Sequence, residues 1–257
     1  MSKKIGLVLS GGGVRGAAHI GVMQVLEEEG IDITHVAGAS AGSIVGALYA
    51  AGHPPQDILE FYKKAAIFKI SNYALFKPGI IDTDKLISVF NKYIEEDTYE
   101  SLKRTLFIIA TDLEQGRSKI FDSGPLIKTI LASSAFPMVF APVTIDDVLY
   151  ADGGIINNFP VEPLEELCDH LIGVYVNPVN PIKKESLDSA LSVLERSYQL
   201  SINASSVKKF DKLDVMICPE ALSEFDTFNT EPIDEIYEIG YEAAKKCIPD
   251  FKKLVND

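Results

Sequence analysis

The sequence predicts an α/β fold of three layers, α/β/α, with a mainly parallel central sheet, organised as one domain over residues 1–257. Three observations point there. Short runs of continuous apolar residues alternate with longer amphipathic stretches along the whole chain. Glycines or polar turns flank the apolar runs, as they do in strands buried on both faces. The strand–helix–strand spacing leaves room for right-handed crossovers, which pair strands in parallel. No internal repeat, low-complexity tract or clear linker divides the chain, so its 257 residues read as a single core.

Taken in order, "IGLVLS" (5–10) is a buried strand broken by "GGG", and "VRGAAHIGVMQVLEEEG" is a helix that Gly30 is placed to stop. "THVAGA" (34–39) is the second strand, and "SAGSIVGALYAAG" the second helix, ending at Gly52. "PQDILEFYKKA" and "DTDKLISVFNKYI" begin with polar residues and continue with helical periodicity. "TLFIIAT" (105–111) is a third core strand, with "RSKIF" returning beside it as a hairpin partner. "PVTIDDVLY" is hairpin-like, its turn at Asp146-Asp147. "LIGVYVN" (171–177) and "LDVMICP" (213–219) are two more buried strands, separated by the helical stretch from Glu185 to Phe210. A final helix runs from about Pro232 to Cys247.

Composition excludes several functions. A net charge of −13 argues against nucleic acid, whose phosphates require clustered Lys and Arg, and against strong attraction to an anionic membrane. Cys168, Cys218 and Cys247 are odd in number and widely spaced, so neither a disulfide framework nor a zinc site is expected. No calcium-loop spacing and no His/carboxylate set points to a catalytic metal, and no cofactor is expected. Residues 33–56 carry no Asp, Glu, Lys or Arg and are long enough to span a bilayer. Their glycines, two histidines and Pro-Pro pair instead fit a buried strand followed by a buried helix. The N-terminus lacks the length and cleavage site of a signal peptide, so a cytoplasmic protein with at most peripheral membrane contact is expected.

Three glycine-rich stretches carry the chemistry. "GGGVRG" (11–16) follows the first strand and satisfies G-x-G-x-x-G. A dinucleotide site would also need an acid at the end of the second strand; that strand ends in "GASAG", and Asp32 precedes it. What remains is a set of glycine amides at a helix start, able to hold an anion, or simply a tight turn. "GASAG" (38–42) matches the G-x-S-x-G of a nucleophile elbow, with Ser40 at its apex between Gly38 and Gly42 and the Ala41 amide aimed where an oxyanion would form. The competing reading is a close-packing turn, and chance gives such a match in about one chain in ten of this length. Context favours the elbow: both loops sit at the carboxyl ends of the first two strands and share a crevice if those strands are neighbours. In "YADGG" (150–154), Asp152 lies between an apolar strand end and Gly153-Gly154, which alone would suggest only a turn.

In order, spacing and context, "GGGVRG", "GASAG" and "DGG" resemble the patatin-like phospholipase family, bacterial branch. The resemblance extends to "ATDLEQGRSKIFDSG" (110–124), "ASSAFPMVFAPV" (132–143) and "IDEIYEIGYEAAKK" (233–246), nearly the whole chain. It implies a patatin-like fold and a serine acyl hydrolase with a Ser-Asp dyad and no catalytic histidine. Ser40 would be the nucleophile, Asp152 the general base, and Gly11, Gly12 and Gly13 the oxyanion loop, with Gly16, Gly38, Gly42, Gly153 and Gly154 supporting the motifs. The substrate would be a lipid or fatty-acyl ester, since the family spans phospholipases, lysophospholipases and triacylglycerol lipases.

Other residues divide between function and packing. Arg15 either orients the glycine loop, or meets a phosphate head group, or is a solvated surface cation that the helix dipole disfavours. Phe136, Met138 and Phe140 could line an acyl channel, though core packing is the commoner fate of such residues. His19 and His35 read as packed or hydrogen-bonded, His53 and His170 as loop residues. Two rivals stand beside the esterase: an adaptor that binds acyl groups without turnover, and a nucleotide-binding protein using the glycine loop for phosphates.

Overall fold

The computed structural model describes residues 3–64, 83–137 and 139–256. Among the described residues, eight strands form one mixed sheet: β1 (Ile5–Leu9), β2 (Ile33–Ala39), β3 (Thr105–Asp112), β4 (Arg117–Phe121), β5 (Val143–Ile145), β6 (Val148–Asp152), β7 (His170–Val174) and β8 (Val215–Ile217). Their order is β5-β6-β3-β2-β1-β7-β8, with β4 also on β3. The five strands β3-β2-β1-β7-β8 run parallel, while β4, β5 and β6 add antiparallel pairs at one side. The expected mainly parallel sheet is therefore present, and β1 and β2 are neighbours.

Both faces of the sheet are apolar, and both are covered. Leu7, Leu9, Val36, Leu106 and Ile108 point into the larger core, beneath α1 (Ala17–Glu28), α2 (Ala41–Ala51), α3 (Pro55–Lys64) and α5 (Leu126–Ser133). The alternate residues Val8, Ala37 and Phe107 point the other way, against Phe159, Val161, Leu164 and Tyr175. Residues 83–90 form α4, Gly154–Asn157 the single turn α6, and Ala190–Ser206 the long helix α7. Burying each Leu, Ile or Phe side chain contributes about 1.5–3 kcal/mol.

Several local signals read as expected. Gly30 and Gly52 take left-handed conformations (φ 67° and 95°) at the ends of α1 and α2, where a residue without Cβ stops a helix cheaply. Asp146 and Asp147 both have positive φ, the geometry of a two-residue hairpin turn matched to strand twist. Other expectations need correcting. Residues 13–16 form a 3-10 turn, so the first α-helix starts at Ala17 instead of Val14. His170 opens β7 instead of lying in a loop. The C-terminal stretch is two helices, α8 (Ile233–Lys246) and α9 (Ile248–Asn256), the second burying Phe251 and Leu254. The α8 helix crosses α1 closely: a Cβ on Gly240 would strike the backbone of Ala18, and one on Gly21 the backbone of Tyr237 and Tyr241.

Candidate active site

The site lies where β1, β2 and β6 end together. Along β3, residues 105–109 pair with β2 and residues 110–112 with β6, while β4 occupies the opposite edge of residues 108–112. Strand β6 therefore continues the line of β2, head to head. Ala39 sits opposite Ile109 and Asp152 opposite Ala110, so the tip of β6 arrives beside Ser40. That long-range pairing joins two motifs separated by 112 positions.

Ser40 is the elbow between β2 and α2, with φ 50° and ψ −123°. A non-glycine residue there costs about 1–3 kcal/mol and persists only if its surroundings fix it. They do so by hydrogen bonds and by close packing. The Ser40 amide donates to Ser133 Oγ (2.9 Å), which donates to the Ile109 carbonyl (2.6 Å), and Ser43 Oγ donates to the Ser40 carbonyl (2.7 Å). A Cβ on Gly38 would collide with the Gly42 carbonyl, and one on Gly42 with the carbonyls of Leu9 and Ser10. Both glycines are thus what lets α2 turn back onto β1 and β2. Gly16 plays the same part between the 3-10 turn and α2, with the Tyr62 hydroxyl and Ala41 Cβ occupying the space of a side chain.

Ser40 Oγ donates to Asp152 Oδ2 across 2.6 Å, and Gly154 N–H donates to Asp152 Oδ1 across 2.7 Å. Gly153 lies against the Ile109 carbonyl, leaving no room for a larger residue at that point. Asp152 is 1% exposed. Burial raises its pKa from 3.8 to about 6, outweighing the Ser40 and Gly154 hydrogen bonds that favour the ionised form. A carboxylate so placed is a base poised close to neutrality.

The glycine loop crosses in front of this pair. Gly11 N–H donates to the Asn158 carbonyl (3.1 Å), so the geometry removes Gly11 from the expected oxyanion donors. Among the described residues, the amides of Gly12, Gly13 and Ala41 make no hydrogen bond within the protein, and all three residues line the pocket with Ser40 and Asp152. The loop carbonyls are tied back: Tyr62 Oη donates to Gly13 O (2.6 Å), Arg15 Nε to Gly12 O (3.4 Å), and Asn177 Nδ2 to Gly11 O. With the loop carbonyls engaged, the unpaired backbone groups of these pocket-lining residues are amides, the polarity an oxyanion requires.

Arg15 is not the surface cation that sequence allowed. It is 4% exposed, lines the pocket, and its guanidinium donates to Asn177 Oδ1 (2.9 Å) and Thr227 Oγ1 (3.2 Å), bracing the loop. Phe136 and Phe140 line the pocket with Ile44, Ile202 and Phe228, and Phe140 also packs against the larger core as expected; Met138 lies outside the described residues. The pocket opens to solvent. Sequence reasoning missed Ser133, Asn158, Asn177, Tyr198 and Thr227, none of which sits in a glycine motif.

No histidine reaches Ser40 or Asp152. His19 lies behind the loop with Nε2 2.8 Å from the Ser10 carbonyl, and burial lowers its pKa to about 4. His35 contacts Thr34, His53 the Tyr93 carbonyl, and His170 Asp214. Among the described residues no group of three His, Cys, Asp or Glu is placed to hold a metal ion, and no helix is long and apolar enough to cross a membrane.

A family model described as patatin-like phospholipase matches residues 7–165. An uncharacterized NTE family protein of Mycobacterium tuberculosis is 36% identical over 181 residues, covering 68% of this chain and 50% of that protein. A patatin-like phospholipase domain-containing protein of Caenorhabditis elegans is 34% identical over 98% of this chain and 21% of its own length. A lysophospholipase of Aspergillus fumigatus is 25% identical over 97% of this chain and 18% of its own. The chain thus spans about half the length of the mycobacterial relative and a smaller part of the others. Among solved structures, VipD from Legionella pneumophila superposes with a TM-score of 0.58 at 16% identity, over 98% of this chain and 67% of VipD. Full-length ExoU of Pseudomonas aeruginosa, in complex with SpcU, gives 0.51 at 15% identity over 100% of this chain and 53% of its own. These two likenesses are of fold.

Proposed function

Since the chain belongs to the patatin-like phospholipase family, we propose that it is a serine acyl-ester hydrolase of lipids, working through a Ser40–Asp152 dyad. The observation that carries this is the 2.6 Å hydrogen bond from Ser40 Oγ to a buried carboxylate, in one pocket with Gly12, Gly13 and Ala41, whose amides are unspent. A serine hydroxyl is a poor nucleophile until a base takes its proton. Asp152 takes it as Oγ attacks the ester carbonyl, and the three amides hold the oxyanion. Loss of the alcohol leaves an acyl-enzyme on Ser40, which water hydrolyses with Asp152 again as base. Arg15, Gly11, Gly16, Gly38, Gly42, Gly153 and Gly154 support this arrangement without touching the ester.

The fatty chain lies against Ile44, Phe136, Phe140, Ile202 and Phe228, whose apolar surface favours an acyl group over a polar one. Residues 1–257 act as one domain in this reading, in the cytoplasm and with at most peripheral membrane contact. A nucleotide-binding role is disfavoured because the glycine loop faces Ser40 and Asp152, whose negative charge would repel a phosphate. An adaptor without turnover would have no need of a strained serine bonded to a buried base. Hydrolysis of p-nitrophenyl esters of increasing chain length, wild type against Ser40→Ala, tests the proposal. Turnover that rises with chain length and vanishes in Ser40→Ala supports it; equal turnover by both proteins sinks it.

A further inference from the structure

Building on that acyl-transfer reading, we propose that Tyr198 is a further catalytic residue, its phenol donating a hydrogen bond to the oxygen of the departing alcohol. Tyr198 lies in the middle of α7 and lines the same pocket as Ser40 and Asp152. A Cβ on Gly154 would stand 2.7 Å from Asn158 Oδ1, 2.9 Å from Asp152 Oδ1 and 3.1 Å from the phenol oxygen, so the phenol shares that point beside Gly154 with the Asp152 carboxylate and the Asn158 amide. Among the described residues the phenol makes no hydrogen bond, leaving its O–H for a substrate. The ring is held edge-on against Phe136 at 5.4 Å and 89°, and Phe136 packs against Phe228 at 5.3 Å, which fixes where the hydroxyl points. Burial and the nearby Asp152 charge hold the phenol well above its usual range, so the O–H is retained at any working pH.

The chemistry needs a donor there. Attack forms the Oγ–carbon bond, sends the Ser40 proton to Asp152, and moves the carbonyl π pair onto oxygen. Collapse restores the carbonyl and breaks the carbon–oxygen bond to the alcohol, with that electron pair going to the leaving oxygen. Asp152 returns its proton to that oxygen, so the alcohol leaves neutral. In a serine–histidine–acid triad the imidazole serves both Oγ and the leaving group. Here the carboxylate is pinned by Ser40 at one oxygen and Gly154 at the other. The Tyr198 O–H bears on the leaving oxygen as charge builds there and before the proton arrives. An alkyl alcohol leaves as a strong base and needs that help; p-nitrophenolate is already stable.

The test compares kcat/KM of wild type and Tyr198→Phe on two esters with one acyl chain, a glycerol monoester and a p-nitrophenyl ester. The glycerol ester should fall by about tenfold to a hundredfold, the effect of losing a hydrogen bond to a charged group. The loss on the p-nitrophenyl ester should be at least fivefold smaller. Equal losses on both esters, or none on the glycerol ester, would overturn the proposal. If circular dichroism finds Tyr198→Phe misfolded, fluorotyrosine at position 198 changes the acidity without the shape, and an unchanged ratio between the two esters overturns the proposal as well. Ser40→Ala separates the two readings. If it hydrolyses both esters like wild type, the dyad falls and Tyr198 with it; if it is inert while Tyr198→Phe loses equally on both, only the Tyr198 role falls.

Discussion

Changing Asp152 to Asn isolates basicity from shape. The carboxylate accepts two hydrogen bonds, from Ser40 Oγ at 2.6 Å and from Gly154 N–H at 2.7 Å. An amide has one acceptor oxygen, and the fixed Gly154 N–H claims it. The Nδ2 group then faces Ser40 Oγ as a donor and cannot take its proton. With the oxyanion amides intact, kcat should fall by about a thousandfold or more, which is about 4 kcal/mol of transition-state stabilisation. Stability should move the other way. Burial raises the Asp152 pKa from 3.8 to about 6, so the folded protein binds the proton more tightly than the unfolded chain does. Wild-type stability is therefore unimpaired by this group below pH 3.8, declines between 3.8 and about 6, and carries the full penalty above. That penalty is on the order of 3 kcal/mol, and a neutral amide escapes it. Thermal unfolding at pH 8 should find Asp152→Asn at least as stable as wild type, with the advantage shrinking toward pH 4. An active variant, or an inactive one less stable than wild type at pH 8, would refute this reasoning.

The pH dependence of kcat/KM should rise through an inflection near 6 and then level off, because Asp152 must be ionised to accept the proton; a profile flat from pH 5 to 8 contradicts this. Each histidine changed singly to Gln or Asn should keep activity within roughly tenfold, a supporting contact being worth on the order of 1 kcal/mol. A folded histidine variant as inert as Asp152→Asn would mean a triad. Gly42→Ala should lower the melting temperature and labelling of Ser40 together, since its methyl meets the Leu9 and Ser10 carbonyls, backbone atoms that no rotamer change can move. Overpacking of that kind costs about 1–3 kcal/mol, and an unchanged melting temperature would count against the close fit.

How much of this was legible in sequence depends on range. Ser40 and Asp152 could be named because each sits in a short motif at a strand end, where turn chemistry is local. Their contact depends on β6 continuing β2 along β3, an antiparallel pairing at Ala110 that no local pattern announces. Gly11 illustrates the same limit: its motif reads as an oxyanion donor, yet the Asn158 carbonyl consumes its amide. Arg15 could have been solvated or buried, and its partners Asn177 and Thr227, 162 and 212 positions away, decide it. "NN" in "DGGIINNFP" breaks an apolar run and could have flagged Asn158. Tyr198 had no such marker, being one aromatic on a long amphipathic helix. The helix α9 was missed because Pro249, two residues after Cys247, reads as a stop, although proline is well tolerated in a helix's first turn.

The most direct test of the central claim is covalent labelling with a fluorophosphonate followed by intact-mass analysis and peptide mapping. The phosphonyl group captures a serine that is both activated by a base and faced by oxyanion donors. One adduct per chain on folded wild type, mapped to Ser40 and lost in Ser40→Ala and Asp152→Asn, is the predicted result. No adduct, or an adduct on another serine that survives Ser40→Ala, would contradict it.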